Sequence, residues 1–209
     1  MRSANLLLGA AFAATSAFAA DTLPPNFKLP HGQHDVRKAV AGTYTVDPAH
    51  TAVVARVSHL GFSMSVFRFE KMDAMLRWDP AHIDKSQLTA NVETASIATP
   101  VPGFADDLAK NYLHAGEFPK ATFVSTAFKA QNNRQGKVEG KLTLMGKTVN
   151  ATFDVSLIGA GPGFAAGPKM GHVIGVHAVT TVNPKAIGLP AVFADPIELD
   201  IDSEFTTPG

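Results

Sequence analysis

The sequence predicts an all-β protein, folded as an antiparallel barrel of roughly eight strands with one short helix near residues 103–114. Apolar and polar side chains alternate along roughly eight segments, which is the pattern of strands with one buried face. The turns between these segments are short and favour antiparallel neighbours. Because closure into a barrel removes unpaired edges, a barrel is the expected architecture, and a two-sheet sandwich is the alternative.

The clearest element is a hairpin over residues 136–158. On both arms apolar side chains alternate with polar ones, and Gly146 and Lys147 supply the turn. A two-stranded hairpin is not stable alone in water, so its apolar face must be covered by further strands or by a ligand. We therefore examine whether the rest of the sequence predicts further strands, a ligand site or both.

Further strands are predicted before this hairpin, with a turn at Asp47 and Pro48 between the first two. Residues 61–69 are rich in Phe and Met, break the alternation and are placed outside the regular strands. The predicted strands cover residues 44–46, 53–59, 72–78, 87–97 and 121–130.

One helix interrupts the strands. Phe104, Leu108 and Tyr112 recur every four residues, which gives a single apolar stripe on a short helix. After the hairpin, the Gly- and Pro-rich residues 159–171 are predicted to form a loop. Strands over 172–182 and 197–205 complete the predicted barrel.

The N-terminus has the pattern of a cleaved secretory signal peptide. Residues 1–19 contain one Arg, an apolar run over 6–14 and an Ala-x-Ala site at their end, and a buried N-terminal helix is the alternative. Cleavage after Ala19 would leave a leader over 20–42, which contains three prolines, and a domain over 43–209. We therefore expect a protein exported to the periplasm, without stable membrane insertion after cleavage.

Charge and cysteine content exclude several classes of function. The 209 residues include 18 basic and 18 acidic side chains and no cysteine. Without net charge the chain has no electrostatic attraction for nucleic acid, which we exclude as a partner. The lack of cysteine excludes disulfides, thiolate metal sites and cysteine nucleophiles. An exported domain of this kind has to rely on its hydrophobic core.

The histidines give little support for a metal or catalytic site. His172 and His177, like His50 and His59, are separated by an odd number of residues, so on a strand they face opposite sides. There is no Gly-x-Ser-x-Gly motif of a hydrolase. We expect neither metal ligands nor catalytic residues. His59 ends an otherwise apolar face, either as a hydrogen-bonded interior residue or as a contact for a ligand head group.

Large apolar side chains outside the predicted strands exceed what the core of a barrel needs. They would either plug the barrel ends or line the mouth of an apolar pocket, which is the usual form of a small-molecule site. We predict a pocket, with the ligand-binding residues His59, Phe62, Met64, Phe67, Phe69, Trp78, Phe104, Leu108, Tyr112, Phe123 and Phe153.

Several motifs occur in the order found in a known family. They are Tyr44-x-x-Asp47-x-x-His50-Thr51, Ser96-Ile97-x-Thr99, Pro119-Lys120-Ala121-Thr122-Phe123-x-Ser125-Thr126 and Gly140-x-Leu142-Thr143-x-x-Gly146-x-Thr148. With these motifs the chain resembles the YceI-like family over residues 43–205. The resemblance implies an exported, lipocalin-like antiparallel barrel. It also implies a lumen that holds a polyisoprenoid, such as a quinone tail, or another long amphiphile.

The resemblance does not identify the ligand head group. Members of the family often carry Arg-x-Asp-Phe-Gly before the last strand, whereas residues 184–188 are Pro-Lys-Ala-Ile-Gly. We expect a periplasmic binding or carrier protein that holds a long-chain apolar small molecule and has no cofactor, and a homodimer is left open. The alternatives are an enzyme acting on an isoprenoid lipid, with His59 or His50 as general base, and a filled barrel serving as a stress-related interaction module.

Overall fold

The computed structural model describes residues 28–165 and 170–207. The predicted signal peptide and its cleavage site lie outside the described residues. Within them there are ten strands, one α-helix and three short 3-10 helices. The strands and the α-helix are, in chain order, β1 Gly42–His59, β2 Ser63–Phe69, β3 Met72–Trp78, β4 Gln87–Glu93, β5 Ile97–Ala98, α1 Phe104–Asp107, β6 Lys120–Ala130, β7 Gln135–Leu144, β8 Lys147–Phe164, β9 Met170–Val182 and β10 Ile197–Thr206.

Eight of these strands close into an antiparallel barrel. The order around the barrel is β10-β9-β8-β7-β6-β4-β3-β1, and pairing of β1 with β10 closes it. β1 is long enough to pair with β10 on one side and with both β3 and β2 on the other. The prediction of an eight-stranded antiparallel barrel with a short helix is confirmed, and closure excludes the sandwich.

Residues 63–69, which were expected outside the strands, form β2 and pair with β1 along their whole length. Phe67 is buried inside, whereas Met64 and Val66 are exposed on the other face. The alternation looked broken because apolar side chains occupy both faces of this strand. The apolar composition of this segment therefore gave the wrong prediction, because its pairing with β1 makes it a strand.

The loop predicted over 159–171 is wrong at both ends, because residues 159–164 continue β8 and pair with β9, which already begins at Met170. Glycine is needed here for close approach between strands rather than for a turn. A Cβ placed on Gly163 would lie 2.8 Å from Cγ2 of Val173. The glycine-rich composition thus marks a tightly packed stretch of strand.

The turn predicted at Asp47 and Pro48 is also wrong. β1 continues through these residues, with an irregularity in its pairing with β10 between Asp47 and Ala52. The Asp47 carboxylate accepts a hydrogen bond from the Ala49 N–H at 2.9 Å. This local bond satisfies a backbone donor inside the bulge, so the chain changes register without reversing direction.

The strand predicted over 87–97 is interrupted. β4 ends at Glu93, and a 3-10 turn over Thr94–Ser96 separates it from β5, which pairs with β2. The Thr94 hydroxyl is buried and donates a hydrogen bond to the Phe118 carbonyl at 2.7 Å. This bond holds the turn against the start of β6.

The helix lies at one end of the barrel, which we call the helix end. α1 continues into one π-helical turn over Leu108–Tyr112, so the helical segment agrees with the predicted position. Leu108 is only 5% exposed and packs with Phe67 in the hydrophobic cluster at this end. The four-residue stripe therefore faces the interior, as its spacing indicates.

A segment of residues 32–39, which we call the strap, crosses the opposite end of the barrel, the strap end. Gln33 and Ala160 exchange two backbone hydrogen bonds of 2.9 Å, and the Val36 N–H donates to the Asn133 carbonyl at 3.1 Å. Gly32 approaches β8 so closely that an added Cβ would lie 2.8 Å from the Gly159 Cα. The strap, which belongs to the predicted leader, is thus packed on the barrel.

Candidate functional site: a divided apolar lumen

The inward faces of the strands leave a lumen inside the barrel. On β10, for example, Ile197, Ser203 and Phe205 are buried, whereas the acidic residues between them face outwards and include Glu198, which pairs with Arg56. The interior is hollow: the inward-facing side chains line two adjoining cavities. The proposal of a filled barrel therefore finds no support in the described residues.

The first cavity, cavity 1, lies at the strap end and has a volume of about 180 Å³. Its wall is mostly aliphatic and aromatic and includes Val36 of the strap, Trp78 at the end of β3, and Phe128 of β6. Ser203 is the polar side chain that interrupts the inner face of β10 here.

The second cavity, cavity 2, lies at the helix end and has a volume of about 170 Å³. Phe67, Leu108 and Leu199 contribute to its wall. Tyr112 and Phe193 close it from above, with their rings 5.6 Å apart and at 87°. This edge-to-face contact joins the helical segment to the loop over 183–196 and covers the end of the barrel.

A waist separates the two cavities. The Phe123 and Phe153 rings belong to both walls and meet edge to face, 5.0 Å apart and at 78°. Phe123 packs over the backbone of Gly140, where an added Cβ would lie 2.5 Å from the Phe123 Cζ. The absence of a side chain at Gly140 lets this ring lie against the barrel wall, so its position depends on that glycine.

The two cavities differ in their access to solvent. Around the β6–β7 turn, the exposed residues Lys129, Asn132, Arg134 and Gln135 belong to the wall of cavity 1. The wall residues of cavity 2 are all buried or half-buried. The lumen therefore opens beside the β6–β7 turn and the strap, and we call this opening the mouth.

Seven of the predicted ligand-binding residues lie in the walls of the cavities. They are Phe67, Phe69, Trp78, Leu108, Tyr112, Phe123 and Phe153. Whether they bind a ligand stays a prediction. Phe104 lies behind the wall, where its ring packs edge to face on Phe67 with centroids 6.2 Å apart.

His59, Phe62 and Met64 do not belong to either wall, and their assignment to the pocket is corrected. β1 and β2 pair as far as His59 and Ser63, so the turn that follows projects its side chains into solvent. Phe62 is 88% exposed, and Met64 and His59 are exposed as well.

Sequence reasoning missed several wall residues. Met72 and Ile201 belong to both cavities, and their alternation within predicted strands could have identified them. Val36 and Phe193 lie outside the strands, where no periodic pattern marks them. Gly140 could not be recognised because its role is to leave space.

Two polar clusters lie on the barrel surface, away from the cavity walls. Asp47, His50 and Glu204 form one, and His177, Asp200 and Asp202 form the other, each with three potential ligand atoms within 4.8 Å. The expectation that the chain has no metal site stays a prediction.

In the first cluster, His50 Nδ1 lies 2.9 Å from Asp47 Oδ2 and 3.9 Å from Glu204 Oε2. The hydrogen bond to Asp47, assisted by the charge of Glu204, raises the pKa of His50. Burial alone would raise the pKa of Asp47, but hydrogen bonds from His50 and the Ala49 N–H outweigh it and lower that pKa.

Neither histidine considered as a general base reaches the lumen. His50 belongs to this surface cluster, and His59 lies at the exposed hairpin turn. In the described part of the chain, no helix is both long enough and apolar enough to cross a bilayer.

Comparison with known proteins identifies the family. The family model described as YceI-like domain matches residues 44–205. A UPF0312 protein of Pseudomonas putida strain W619 is 31% identical over 172 residues, which cover 80% of this chain and 88% of that protein. A UPF0312 protein of Vibrio cholerae is 33% identical over 159 residues, which cover 75% of this chain and 82% of that protein.

Solved structures share the fold. BcnA of Burkholderia cenocepacia matches with a TM-score of 0.63 and 24% identity, over 76% of this chain and 98% of BcnA. A polyisoprenoid binding domain from Saccharophagus degradans matches with a TM-score of 0.54 and 12% identity, over 79% of this chain and 98% of that domain. With the family model spanning nearly the whole barrel, the chain belongs to the YceI-like family.

Proposed function

We propose that this protein is a periplasmic carrier that holds one long apolar chain, a polyisoprenoid such as a quinone tail or a similar amphiphile, inside its barrel. The observation that carries the proposal is the hollow lumen, in which two apolar cavities adjoin end to end across the Phe123–Phe153 waist. Export to the periplasm rests on the signal-peptide pattern of residues 1–19.

The shape of the lumen suits a long, slender ligand. The inner face of β10 runs from Ile197 to Phe205, and the cavity walls extend along this length. At about 3.3 Å per residue and a strand tilt of about 40°, this is roughly 20 Å along the barrel axis. A rounded ligand small enough to enter one cavity would leave the other empty.

Burial of an apolar tail supplies free energy of the same size as the cost of association. Each buried methylene contributes about 0.8 kcal/mol, so ten of them contribute about 8 kcal/mol. Association costs about 4–15 kcal/mol in lost translational and rotational freedom. A tail that fills both cavities is therefore expected to bind, whereas a fragment confined to one cavity is expected to bind weakly.

The choice of an isoprenoid draws on the resemblance to the Saccharophagus degradans domain, which is described as polyisoprenoid binding. Binding without catalysis agrees with the walls of the lumen, where the described residues include no histidine or carboxylate. The proposal therefore requires the protein to release its ligand chemically unchanged.

The test is native mass spectrometry of the protein purified from the periplasm, before and after solvent extraction. We expect a lipid-sized mass excess that extraction removes, and an increase in melting temperature when an isoprenoid quinone is added back. A ligand at 100 times its Kd stabilises the folded state by about 2.7 kcal/mol. If no lipid co-purifies and the quinone neither binds nor raises the melting temperature, the proposal is wrong.

A matched pair of variants shows whether the lumen is the site. Ala90 belongs to the walls of both cavities, whereas its neighbour Thr89 is exposed. Ala90→Leu places added side-chain volume at the waist and is expected to abolish the lipid mass. Thr89→Leu adds a larger side chain on the outside and is expected to retain it.

A further inference from the structure

We propose that the tip of the β1–β2 hairpin docks the protein on the surface of a lipid bilayer that contains anionic lipids. This inference goes beyond the proposed function, because it concerns the outside of the barrel and does not depend on what the lumen holds. The docking surface, which we call the β1–β2 patch, consists of Leu60 and Phe62 in the turn and of Met64, Val66 and Arg68 on the outer face of β2.

The apolar members of the β1–β2 patch follow one another along the chain, and all of them are exposed. Leu60 is 68% exposed and Phe62 is 88% exposed, and the exposed Met64 and Val66 continue the row on β2. Single exposed apolar residues are normal on a protein surface, whereas a contiguous group of large ones marks an interaction site. The boundary between head groups and acyl chains of a bilayer accepts such side chains.

The turn holds Leu60 in a strained backbone conformation. Its φ is +54°, in the left-handed region, which is unfavourable for a bulky residue. Met145 in the β7–β8 turn has a similar φ of +49°, but its side chain is buried, so burial offsets the strain. The exposed Leu60 has no such compensation. Strain of this kind points to a function, and burial of the Leu60 side chain in a bilayer would supply the missing compensation.

The charges of this hairpin suit an anionic surface. Residues 48–69 include two arginines, Arg56 and Arg68, and no carboxylate. Arg56 pairs with Glu198 of β10, whereas none of the ion pairs in the described part of the chain involves Arg68. Arg68 lies on the same face of β2 as the exposed apolar side chains, so its guanidinium can bind lipid phosphates while those side chains enter the bilayer.

A second copy of the chain is a less suitable partner than a bilayer. Most dimers are two-fold symmetric and bring the same patch of both subunits together. Such a contact would bring the unpaired Arg68 of each subunit to one interface, where like charges are unfavourable. A bilayer offers hydrocarbon to Leu60 and Phe62 and phosphate to Arg68. It therefore satisfies both the apolar and the charged members of the patch.

Docking would determine how the barrel is oriented on the bilayer. The β1–β2 turn lies at the helix end, where Phe67 of β2 packs with Leu108. The mouth lies at the strap end, so in the docked protein it would face away from the bilayer. The lumen would thus stay accessible from the aqueous side.

Vesicle flotation tests the docking. The native protein is mixed with vesicles of phosphatidylethanolamine and phosphatidylglycerol, or with vesicles of phosphatidylcholine alone. We expect stronger binding to the anionic vesicles, and we expect added salt to weaken it. Phe62→Ala should lower the partition coefficient at least about tenfold, because one large side chain is no longer buried in the bilayer. Ile158→Ala removes an exposed apolar side chain of β8 and is the control, which should change nothing.

Two further variants separate the apolar contribution from the charge. Leu60→Asn introduces a residue that tolerates left-handed backbone, so the melting temperature should stay the same or rise while vesicle binding falls about tenfold. Arg68→Gln should weaken binding to the anionic vesicles about fivefold and leave binding to phosphatidylcholine unchanged. A substitution that only disturbs the fold would lower the melting temperature instead.

The outcomes distinguish this inference from the proposed function. It is wrong if the native protein does not bind the anionic vesicles or binds both kinds equally, or if Phe62→Ala and Leu60→Asn bind like the native protein. Loss of vesicle binding in Ala90→Leu would also overturn it, because binding would then depend on the lumen. A dimer in sedimentation velocity that Phe62→Ala dissociates would assign the patch to a second copy and overturn it too. Vesicle binding without any quinone binding would overturn the carrier function alone.

Discussion

The two halves of the lumen have nearly equal volumes and are closed in different ways. At the helix end, the side chains of Leu108, Tyr112 and Phe193 cover cavity 2. At the strap end, backbone hydrogen bonds between Gln33 and Ala160 hold the cover of cavity 1, beside an exposed polar turn. One end is closed by apolar burial and the other by a short backbone bridge.

This difference indicates which end opens. Each large apolar side chain buried at the helix end contributes about 1.5–3 kcal/mol. Each backbone hydrogen bond at the strap end contributes about 0.5–1.5 kcal/mol net. Local opening is drawn from the less stable parts of a structure. We therefore expect a ligand to enter at the strap end, while the helix end stays closed.

The largest effect is expected at the waist, where the two halves meet. Phe153 is buried and belongs to both cavity walls. Phe153→Ala would widen the waist and lower the free energy of unfolding by about 3 kcal/mol, the lower end for Phe→Ala because the ring already borders empty space. Urea denaturation measures this loss.

Phe62→Ala is the control for that substitution, because Phe62 is 88% exposed. It is expected to change the free energy of unfolding by less than about 0.5 kcal/mol. If Phe153→Ala lowers the free energy of unfolding by less than about 1 kcal/mol, the ring does not support the wall. The Phe123–Phe153 contact would then not divide the lumen into two halves.

The second prediction concerns the closed end. Leu108→Ala removes a buried side chain that covers cavity 2 and is expected to cost about 2–3 kcal/mol in urea denaturation. It should also raise the dissociation rate of a bound quinone, since a second opening is created. Lys110→Ala, on the exposed side of the same helical segment, is the control and should change neither quantity. An unchanged dissociation rate in Leu108→Ala would contradict the role of the helix as a cover.

The barrel and the helix end were predictable because their signals are local. Alternation with a period of two along β10 and in the β7–β8 hairpin requires no knowledge of the partner strand. The four-residue spacing of Phe104, Leu108 and Tyr112 likewise identified the apolar stripe that covers cavity 2. Such signals survive in a single sequence, and they account for most of the correct wall residues.

The waist and the strap end were not predictable in the same way. Phe123 and Phe153 could be recognised as inward-facing, but their contact forms across Gly140 only after three strands are in register. Phe62 illustrates the opposite error, because its apolar character says nothing about its place at a hairpin turn. The register of distant strands determines the Phe123–Phe153 contact, and the position of the turn determines the exposure of Phe62.

A substitution at Gly32 is expected to open the strap end. A Cβ on Gly32 would lie 2.8 Å from the Gly159 Cα, and backbone atoms cannot move aside cheaply. Gly32→Ala is expected to separate the strap from β8, so that the amides of Gln33 and Ala160 exchange faster with solvent. Because only this bridge is lost, the free energy of unfolding should fall by about 1–2 kcal/mol.

Gly42→Ala is the control, since a Cβ at Gly42 meets nothing within 4 Å. Hydrogen exchange followed by mass spectrometry compares the two variants. Faster quinone binding in Gly32→Ala alone would place entry at the strap end. If exchange at Gln33 and Ala160 is unchanged, the strap does not depend on the close approach of these glycines.

The smallest effect is expected along the β1–β10 seam, where the two halves again differ. Beside cavity 2 the seam carries the Arg56–Glu198 ion pair, with Nε and Oε1 3.3 Å apart. Beside cavity 1 it carries His50 with Asp47 and Glu204. Because contact with Asp47 and Glu204 raises the pKa of His50, we expect a pH response from the cavity 1 half of the seam.

The direction follows from the raised pKa of His50. Its hydrogen bond to Asp47 raises that pKa above 6.5, so its contribution is complete below pH 6.5 and is lost as the pH rises through the raised value. The lowered pKa of Asp47 gives a contribution that is present above pH 3.8 and lost on acidification below it. The seam is therefore expected to be most stable between these limits.

The His50 side chain is 64% exposed, so screening keeps the effect below about 1 kcal/mol, or about 3 °C in melting temperature. Melting temperatures at pH 6 and pH 9 should converge in His50→Gln relative to the native protein, whereas Arg56→Gln should leave their difference intact. If His50→Gln and the native protein respond equally to pH, His50 is not the source of the pH dependence. The two halves of the seam would then not differ in their response to pH.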